Sequence, residues 1–276
     1  MNTLKKIAAI NDLSGSSRCS LTVALPVISA MGIQCCVLPT AILSNHTGYS
    51  SFYFEDFSDG MIGFAQNWKK QKLKFDCIYS GFLGSDKQIE TVEKFIADFS
   101  CDSTKIIIDP VMGDGGKIYS TYTKRMCTEM KKLVAAADVV TPNITEACVL
   151  ADEPYESEKI GEEKLIKMAR KIAALGAKNV VITGIIGDGT VSNYIYDGKD
   201  GILVSSPLAE KTYSGTGDLF ASVVCGMITN GRDVISSVRA ASDFTATVTQ
   251  KSCELGIKWE EGVCFELFMK ELSELT

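Results

Sequence analysis

The chain has 276 residues, 46% of them apolar, enough to bury a sizeable core as one large α/β domain or two small ones. A net charge of -6 without any cluster of lysine and arginine excludes a broad nucleic-acid-binding surface; Lys69-Lys70 and Lys131-Lys132 read as solvated helix faces. No apolar run approaches the ~18 residues that a membrane span needs, so no membrane partner is expected and the location is expected to be cytoplasmic.

The opening stretch MNTLKKIAAIND carries a basic pair but a very short apolar run, and reads as a first strand at 6–10 rather than a signal peptide. An amphipathic stretch from about 19 stops at Gly32, and 33–38 is a second strand. A helix around 61–71 precedes a strand at 77–79, and one around 87–99 precedes a strand at 105–108. Next come a helix at 123–136, a strand at 139–140 and a short helix from near Thr145. The segment 162–175 is a clear helix, with Leu165, Met168, Ile172 and Leu175 on one face and Gly176 as its stop signal. A strand at 179–183 follows. Gly187-Asp188-Gly189 then turns the chain into 191–196 as a hairpin, with a further strand at 202–205. A helix at 218–229 and one or two more complete the chain. The alternation predicts a three-layer α/β/α domain spanning 1–276, with a mostly parallel sheet and antiparallel strands at one edge.

The ten cysteines include no C-x-x-C pair, and Cys35, Cys77, Cys127, Cys148 and Cys225 fall within apolar patterns, so they read as structural thiols. His46 is the single histidine, which excludes a multi-histidine metal site.

In open α/β sheets, ligands sit beyond the carboxyl ends of the parallel strands. The polar residues that follow the predicted strands are Asn11-Asp12-Leu13-Ser14-Gly15, Leu43-Ser44-Asn45-His46-Thr47-Gly48, Ser80-Gly81-Phe82, Asp109-Pro110-Val111-Met112-Gly113-Asp114, Thr141-Pro142-Asn143 with Glu146, and Thr183-Gly184. Singly, each is ordinary turn chemistry. Together, Asp109, Asn143 and Glu146 supply hard oxygen donors suited to Mg²⁺, and Thr141 and Thr183 add oxygens suited to a monovalent cation.

Gly215-Thr216-Gly217-Asp218 opens an apolar helical pattern, so its amides would lie at a helix N-terminus, where an anion is favoured. A carboxylate there repels phosphate. Asp218 therefore fits either a helix cap or a base that takes a proton from an attacking hydroxyl. Neither G-x-x-x-x-G-K-[ST] nor G-x-G-x-x-G is present, which excludes a P-loop NTPase and weakens a dinucleotide-binding reading.

Gly215-Thr216-Gly217-Asp218 followed by Leu219-Phe220-Ala221 resembles the C-terminal signature of the ribokinase-like kinases. Asp109-Pro110-Val111-Met112-Gly113-Asp114 and Thr141-Pro142-Asn143 with Glu146 resemble the motifs of its vitamin-kinase branch, and Ser44-Asn45-His46-Thr47-Gly48 those of the pyridoxal (pyridoxine) kinases. The resemblance covers about 5–260. It implies a ribokinase-like fold without a separate lid domain, a homodimer, and ATP-dependent phosphorylation of the 5′-hydroxyl of a pyridoxal-type substrate. By that resemblance, Asp218 is the general base and Gly215, Thr216 and Gly217 form the anion hole. Asp109, Asp114, Asn143, Thr183 and Gly184 serve the nucleotide. Asp109, Thr141 and Glu146 serve Mg²⁺, with K⁺ near Thr141 and Thr183. Ser14, Leu43, His46, Thr47 and Phe82 contact the vitamer, and 112–122 forms a flexible flap over ATP. Ser16 and Ser17 depart from the family, where an aromatic and a glycine are expected. The alternatives are a hydroxymethylpyrimidine kinase, which shares the fold and the GTGD signature and differs in the loops around 14 and 44–47, or a non-catalytic vitamer-binding protein. A Rossmann-type oxidoreductase is a weaker rival.

Overall fold

The computed structural model describes residues 4–156 and 160–275. In chain order the elements are β1 (Lys6–Ser14), α1 (Leu21–Ala30), β2 (Gln34–Leu43), β3 (Phe54–Asp56), α2 (Ser58–Lys70), β4 (Cys77–Ser80), α3 (Asp86–Phe99) and β5 (Lys105–Ile108). The short strands β6 (Gly113–Asp114) and β7 (Lys117–Ile118) follow, then α4 (Lys124–Ala135), β8 (Val139–Val140), α5 (Ile144–Ala151) and α6 (Glu162–Ala174). The remainder is β9 (Asn179–Gly187), β10 (Thr190–Tyr196), β11 (Gly201–Pro207), α7 (Thr216–Thr229), α8 (Val234–Glu254), two short 3₁₀ turns and α9 (Met269–Glu274).

The main sheet runs β11-β10-β9-β8-β5-β4-β1-β2-β3. The pairs from β2 across β1, β4, β5 and β8 to β9 are parallel; β3, β10 and β11 add antiparallel edges. The central strands read as unbroken apolar runs because both faces are covered, and their period of two sends alternate residues to opposite cores. Ile7, Ala9, Cys77, Tyr79, Ile107, Val139 and Val181 face one core, shared with α1, α7, α8 and α9. Ala8, Ile10, Ile78, Ile108, Val140, Val180 and Ile182 face the other, shared with α2 to α6.

The helices form where apolar residues recur at three- and four-residue spacing. In α3, Ile89, Val92, Phe95, Ile96 and Phe99 are buried, and Ser85 caps the start by accepting from the Gln88 N–H at 3.3 Å. In α6, Leu165, Met168 and Ile172 are buried as the sequence pattern predicts; Ala169 joins them, and Leu175 instead caps the helix, half-buried. Between β9 and β10, Asp188 and Gly189 adopt φ 51 and 73, the two positive values that a tight hairpin turn requires.

Several elements differ from expectation. Strand β1 runs on through Ser14, so Asn11, Asp12 and Ser14 belong to its irregular end rather than to a loop. Strand β2 reaches Leu43 because Phe54–Asp56 pairs antiparallel with its last residues; acidic Glu55-Asp56 gives no strand signal in sequence. The expected flap at 112–122 contains the β6–β7 hairpin. Helix α7 begins two residues earlier than expected, at Thr216. All ten cysteines are free thiols; Cys19, Cys77, Cys148, Cys225 and Cys264 are buried, whereas Cys101 is exposed. Among the described residues no helix is long and apolar enough to cross a membrane.

Candidate active site

Strand β1 pairs with β2 on one side and β4 on the other, so the chain order reverses beside it and opens a crevice at the strand ends. Asn11 and Asp12 end β1 there, Asp109 follows β5, Thr141 follows β8, and Asp218 arrives from α7. Asn11 lies so close over the end of β4 that a Cβ at Gly81 would fall 2.4 Å from its Nδ2.

Asp218 sits in the first turn of α7, three residues after the cap position. The cap itself is Gly215, at φ 78 and without a side-chain cap bond, so Asp218 is not the helix cap. It accepts from Asn11 Nδ2 at 3.1 Å and from the backbone N–H of Ser20. Burial pushes its pKa up to about 6, helped by the charge of Asp12 and opposed by the two hydrogen bonds. A carboxylate with that pKa is unprotonated at neutral pH yet basic enough to accept a proton.

The two glycines beside it differ in kind. A Cβ at Gly215 would lie 1.9 Å from the Arg18 carbonyl oxygen, so backbone shape and packing both demand glycine. A Cβ at Gly217 would meet nothing within 4 Å, and no positive φ constrains it. Neither packing nor backbone strain accounts for glycine at 217. Open space above the first-turn amides of a helix is what an anion requires.

On the β5–β8 side of the crevice, Thr141 Oγ1 donates to Asp109 Oδ1 at 3.0 Å in a buried setting. Burial and the charge of Asp218 push Asp109 up to about 8. Glu146, 3% exposed, is raised well above its ordinary range by burial and by Asp109. Its Oε2 accepts from the Asn143 N–H at 2.8 Å while Asn143 Oδ1 accepts from the Glu146 N–H at 3.0 Å, a capping box that starts α5.

The same helix end fastens the β6–β7 hairpin. Asn143 Nδ2 donates to Gly113 O at 2.8 Å, Gly116 N–H to Thr145 Oγ1 at 2.9 Å, and Met112 N–H to Glu146 Oε1 at 3.0 Å. Asn143→Ala removes the cap and one of these ties. It is expected to lower stability by about 1–2 kcal/mol, read as a drop in thermal midpoint, and to speed amide hydrogen exchange across 112–118.

The structure also redistributes some expected contacts. Asp114 is exposed and turned back onto the Gly115 N–H at 2.7 Å. Thr183 is bridged to Asn143, its Oγ1 3.4 Å from Pro142 O, and Gly184 is exposed at φ 71. Among the described residues no group of three or more histidine, cysteine or acidic side chains is arranged to hold a metal ion. The charge of Asp109 nonetheless adds to burial in pushing up the pKa of Glu146, a repulsion that a divalent cation relieves. Mg²⁺ commonly takes one or two carboxylates and completes its shell with water and nucleotide phosphates, so this pair with Thr141 fits such an ion.

On the β1–β2 side, Ser14 is buried and donates to Asp12 Oδ2 at 2.8 Å. Leu43 is buried, Thr47 is exposed, and the Phe82 N–H donates to Asn11 Oδ1 at 2.9 Å. His46 commits both ring nitrogens to backbone: Nδ1 accepts from the Gly48 N–H at 3.1 Å, so Nε2 carries the proton that it donates to Glu260 O, 2.9 Å away. Trp259 packs edge-on to the ring at 5.6 Å. His46 thus ties the 44–48 loop to the C-terminal turn. Asn11, Asp12, Ser20 and Thr145 also join the site, unselected from the sequence; a polar run ending an apolar strand was the available signal for the first two.

A three-layer α/β/α fold whose crevice gathers a helix-start aspartate, open glycine amides and a pair of buried carboxylates has the ribokinase-like architecture. Within that class, the chain belongs to the phosphomethylpyrimidine kinase family, whose profile matches residues 23–262. A Bacteroides thetaiotaomicron protein provisionally assigned as a phosphomethylpyrimidine kinase superposes with a TM-score of 0.94 at 40% identity, over 98% of this chain and 94% of its own. An orthorhombic form of a protein so assigned from the same organism, crystallised with pyridoxal, gives 0.92 at 39% identity, over 98% and 96%. The pyridoxal kinase of Lactobacillus plantarum gives 0.91 at 25% identity, over 99% and 98%. A hydroxymethylpyrimidine/phosphomethylpyrimidine kinase of Aquifex aeolicus is 32% identical over 160 residues, 56% of this chain and 60% of its own. The chain spans 49% to 66% of the length of the first curated relatives that it matches.

Proposed function

We propose that the protein transfers the γ-phosphoryl group of ATP to the 5′-hydroxyl of a pyridoxal-type substrate. The observation that carries the reading is Asp218, held by Asn11 and Ser20 with its pKa at about 6 beside an open helix N-terminus. Asp218 accepts the proton of the hydroxyl as it attacks in line, and the amides at 215–217 stabilise charge on the phosphoryl oxygens. Asp109, Thr141 and Glu146 would hold Mg²⁺, which neutralises phosphate charge when bound. Thr141 and Thr183 are assigned to K⁺, and Asn143 and Gly184 to the nucleotide. Ser14, Leu43, Thr47 and Phe82 line the ring. A homodimer and a cytoplasmic location belong to the same reading.

Support for pyridoxal comes from the Ser44–Gly48 motif and from the pyridoxal complex of the Bacteroides protein. The second reading, a hydroxymethylpyrimidine kinase, is favoured by the family profile and by the Aquifex relative. Purified protein with Mg²⁺–ATP is expected to phosphorylate pyridoxal, pyridoxine or pyridoxamine in preference to hydroxymethylpyrimidine, with K⁺ varied in parallel. Product from hydroxymethylpyrimidine alone would replace the first reading with the second.

A further inference from the structure

Ser20 breaks two local rules at once. Serine is a favoured N-cap residue and Ser20 stands at the N-cap of α1, yet its side chain makes no capping bond. Its backbone is held at φ 50 and ψ -130, in a region that residues with a side chain rarely adopt. Strain of this kind persists where the surroundings impose it, and it gathers at functional sites.

Both departures lead to one place. Ser20 Oγ donates to Asp12 Oδ1 at 2.5 Å, while the Ser20 N–H donates to the carboxylate of Asp218. Asn11 makes a second link between the same two residues. Its Oδ1 accepts from the Asp12 N–H at 2.9 Å and from the Phe82 N–H at 2.9 Å, which obliges its Nδ2 to face Asp218 Oδ1, 3.1 Å away. Ser14 Oγ fills the other oxygen of Asp12 at 2.8 Å. Asp12 is 7% exposed, and burial raises its pKa above the usual carboxylate range. A buried carboxylate supplied with hydroxyl donors on both oxygens is an anchor for those donors.

We propose that Asp12 is a positioning residue for the base: through Ser20, whose Oγ its carboxylate holds, it fixes where the Asp218 carboxylate points, without touching the substrate. This rests on the reading of Asp218 as the base. The titratable groups that face Asp218 are Asp12 from β1, Asp109 after β5, Cys19 before α1, Tyr79 on β4 and Tyr119 after β7. Asp12 is joined to it by Ser20, which donates to both carboxylates, as well as by charge.

The test uses Asp12→Asn, which keeps the shape, and Ser20→Gly, which removes the hydroxyl and relieves the positive φ. Each is expected to lower kcat by about 10- to 100-fold, the range for a misplaced catalytic group, and to leave KM for ATP and for the alcohol within about twofold. The double variant is expected to be no worse than the poorer single one, because both break the same link. In Asp12→Asn, the ¹³C titration of the Asp218 carboxyl is expected to move below its value of about 6, since a like charge is gone. Wild-type kcat in both variants, additive losses, or a KM for the alcohol raised more than about tenfold with kcat intact would each overturn the inference. Should Asp12→Asn fail to fold, Ser20→Gly decides. The carboxyl titration needs no substrate. If the wild-type protein phosphorylates none of the alcohols, the functional reading falls, while an Asp218 titration unchanged by Asp12→Asn removes the Asp12 link by itself.

Discussion

Replacing Asp218 by Asn is expected to lower kcat by about 10²- to 10⁴-fold, the usual contribution of a positioned base, while ATP and the vitamer still bind. The amide keeps the size of the side chain and can still accept from Asn11, so the fold of the site is retained. Isothermal titration of both ligands against the variant separates binding from chemistry. Unchanged kcat would remove the assignment. The pH dependence of the wild-type enzyme follows from the same residue. The base acts unprotonated, and burial raises its pKa to about 6. The rate is therefore full above that value and falls as pH drops through it, whereas an exposed aspartate would place the fall near ~4. Measuring kcat across that interval checks both the residue and the direction of its shift.

The glycine pair gives the second large effect, with opposite signatures at two positions. Gly217→Ala is expected to fold and to gain up to about 1 kcal/mol, because alanine is the better helix former. The new methyl group occupies the space above the amides and is expected to cost about 10²- to 10³-fold in kcat, comparable to the loss of an anion-hole donor. Gly215→Ala is expected to lose stability outright, since its Cβ would lie 1.9 Å from the Arg18 carbonyl at φ 78. Thermal denaturation beside steady-state kinetics distinguishes the two. A Gly217→Ala enzyme with wild-type kcat would contradict the anion hole.

Much of this arrangement was legible in the sequence. The alternation of short β-branched runs and amphipathic stretches predicted the parallel centre of the sheet, and the turn at 187–189 predicted its antiparallel edge. The strand-end rule brought Asp109, Thr141, Asn143 and Glu146 to one rim before any contact was known. What stayed hidden depends on partners distant in the chain. Glu260 stands 214 positions from the His46 ring nitrogen that it satisfies, and no local pattern in SNHTG shows that commitment. Ser20 gives no local signal; its ties to Asp12 and Asp218 exist only once β1, α1 and α7 are packed together. Strand β3 was missed because pairing with β2, and not its composition, makes it a strand.

The sheet separates two cores, and the site draws on both. Asp218 is carried by a helix of one core, whereas Asn143 and Glu146 ride on a helix of the other. The gap between Asp218 and the Asn143–Glu146 pair is thus a thickness, set by how tightly each helical layer seats on the strands between them. Close-packed interiors transmit small volume changes rather than absorbing them. The apolar residues of both layers are in that sense the calliper that sets the span of the crevice, so a methyl group lost deep in either core is felt at its rim.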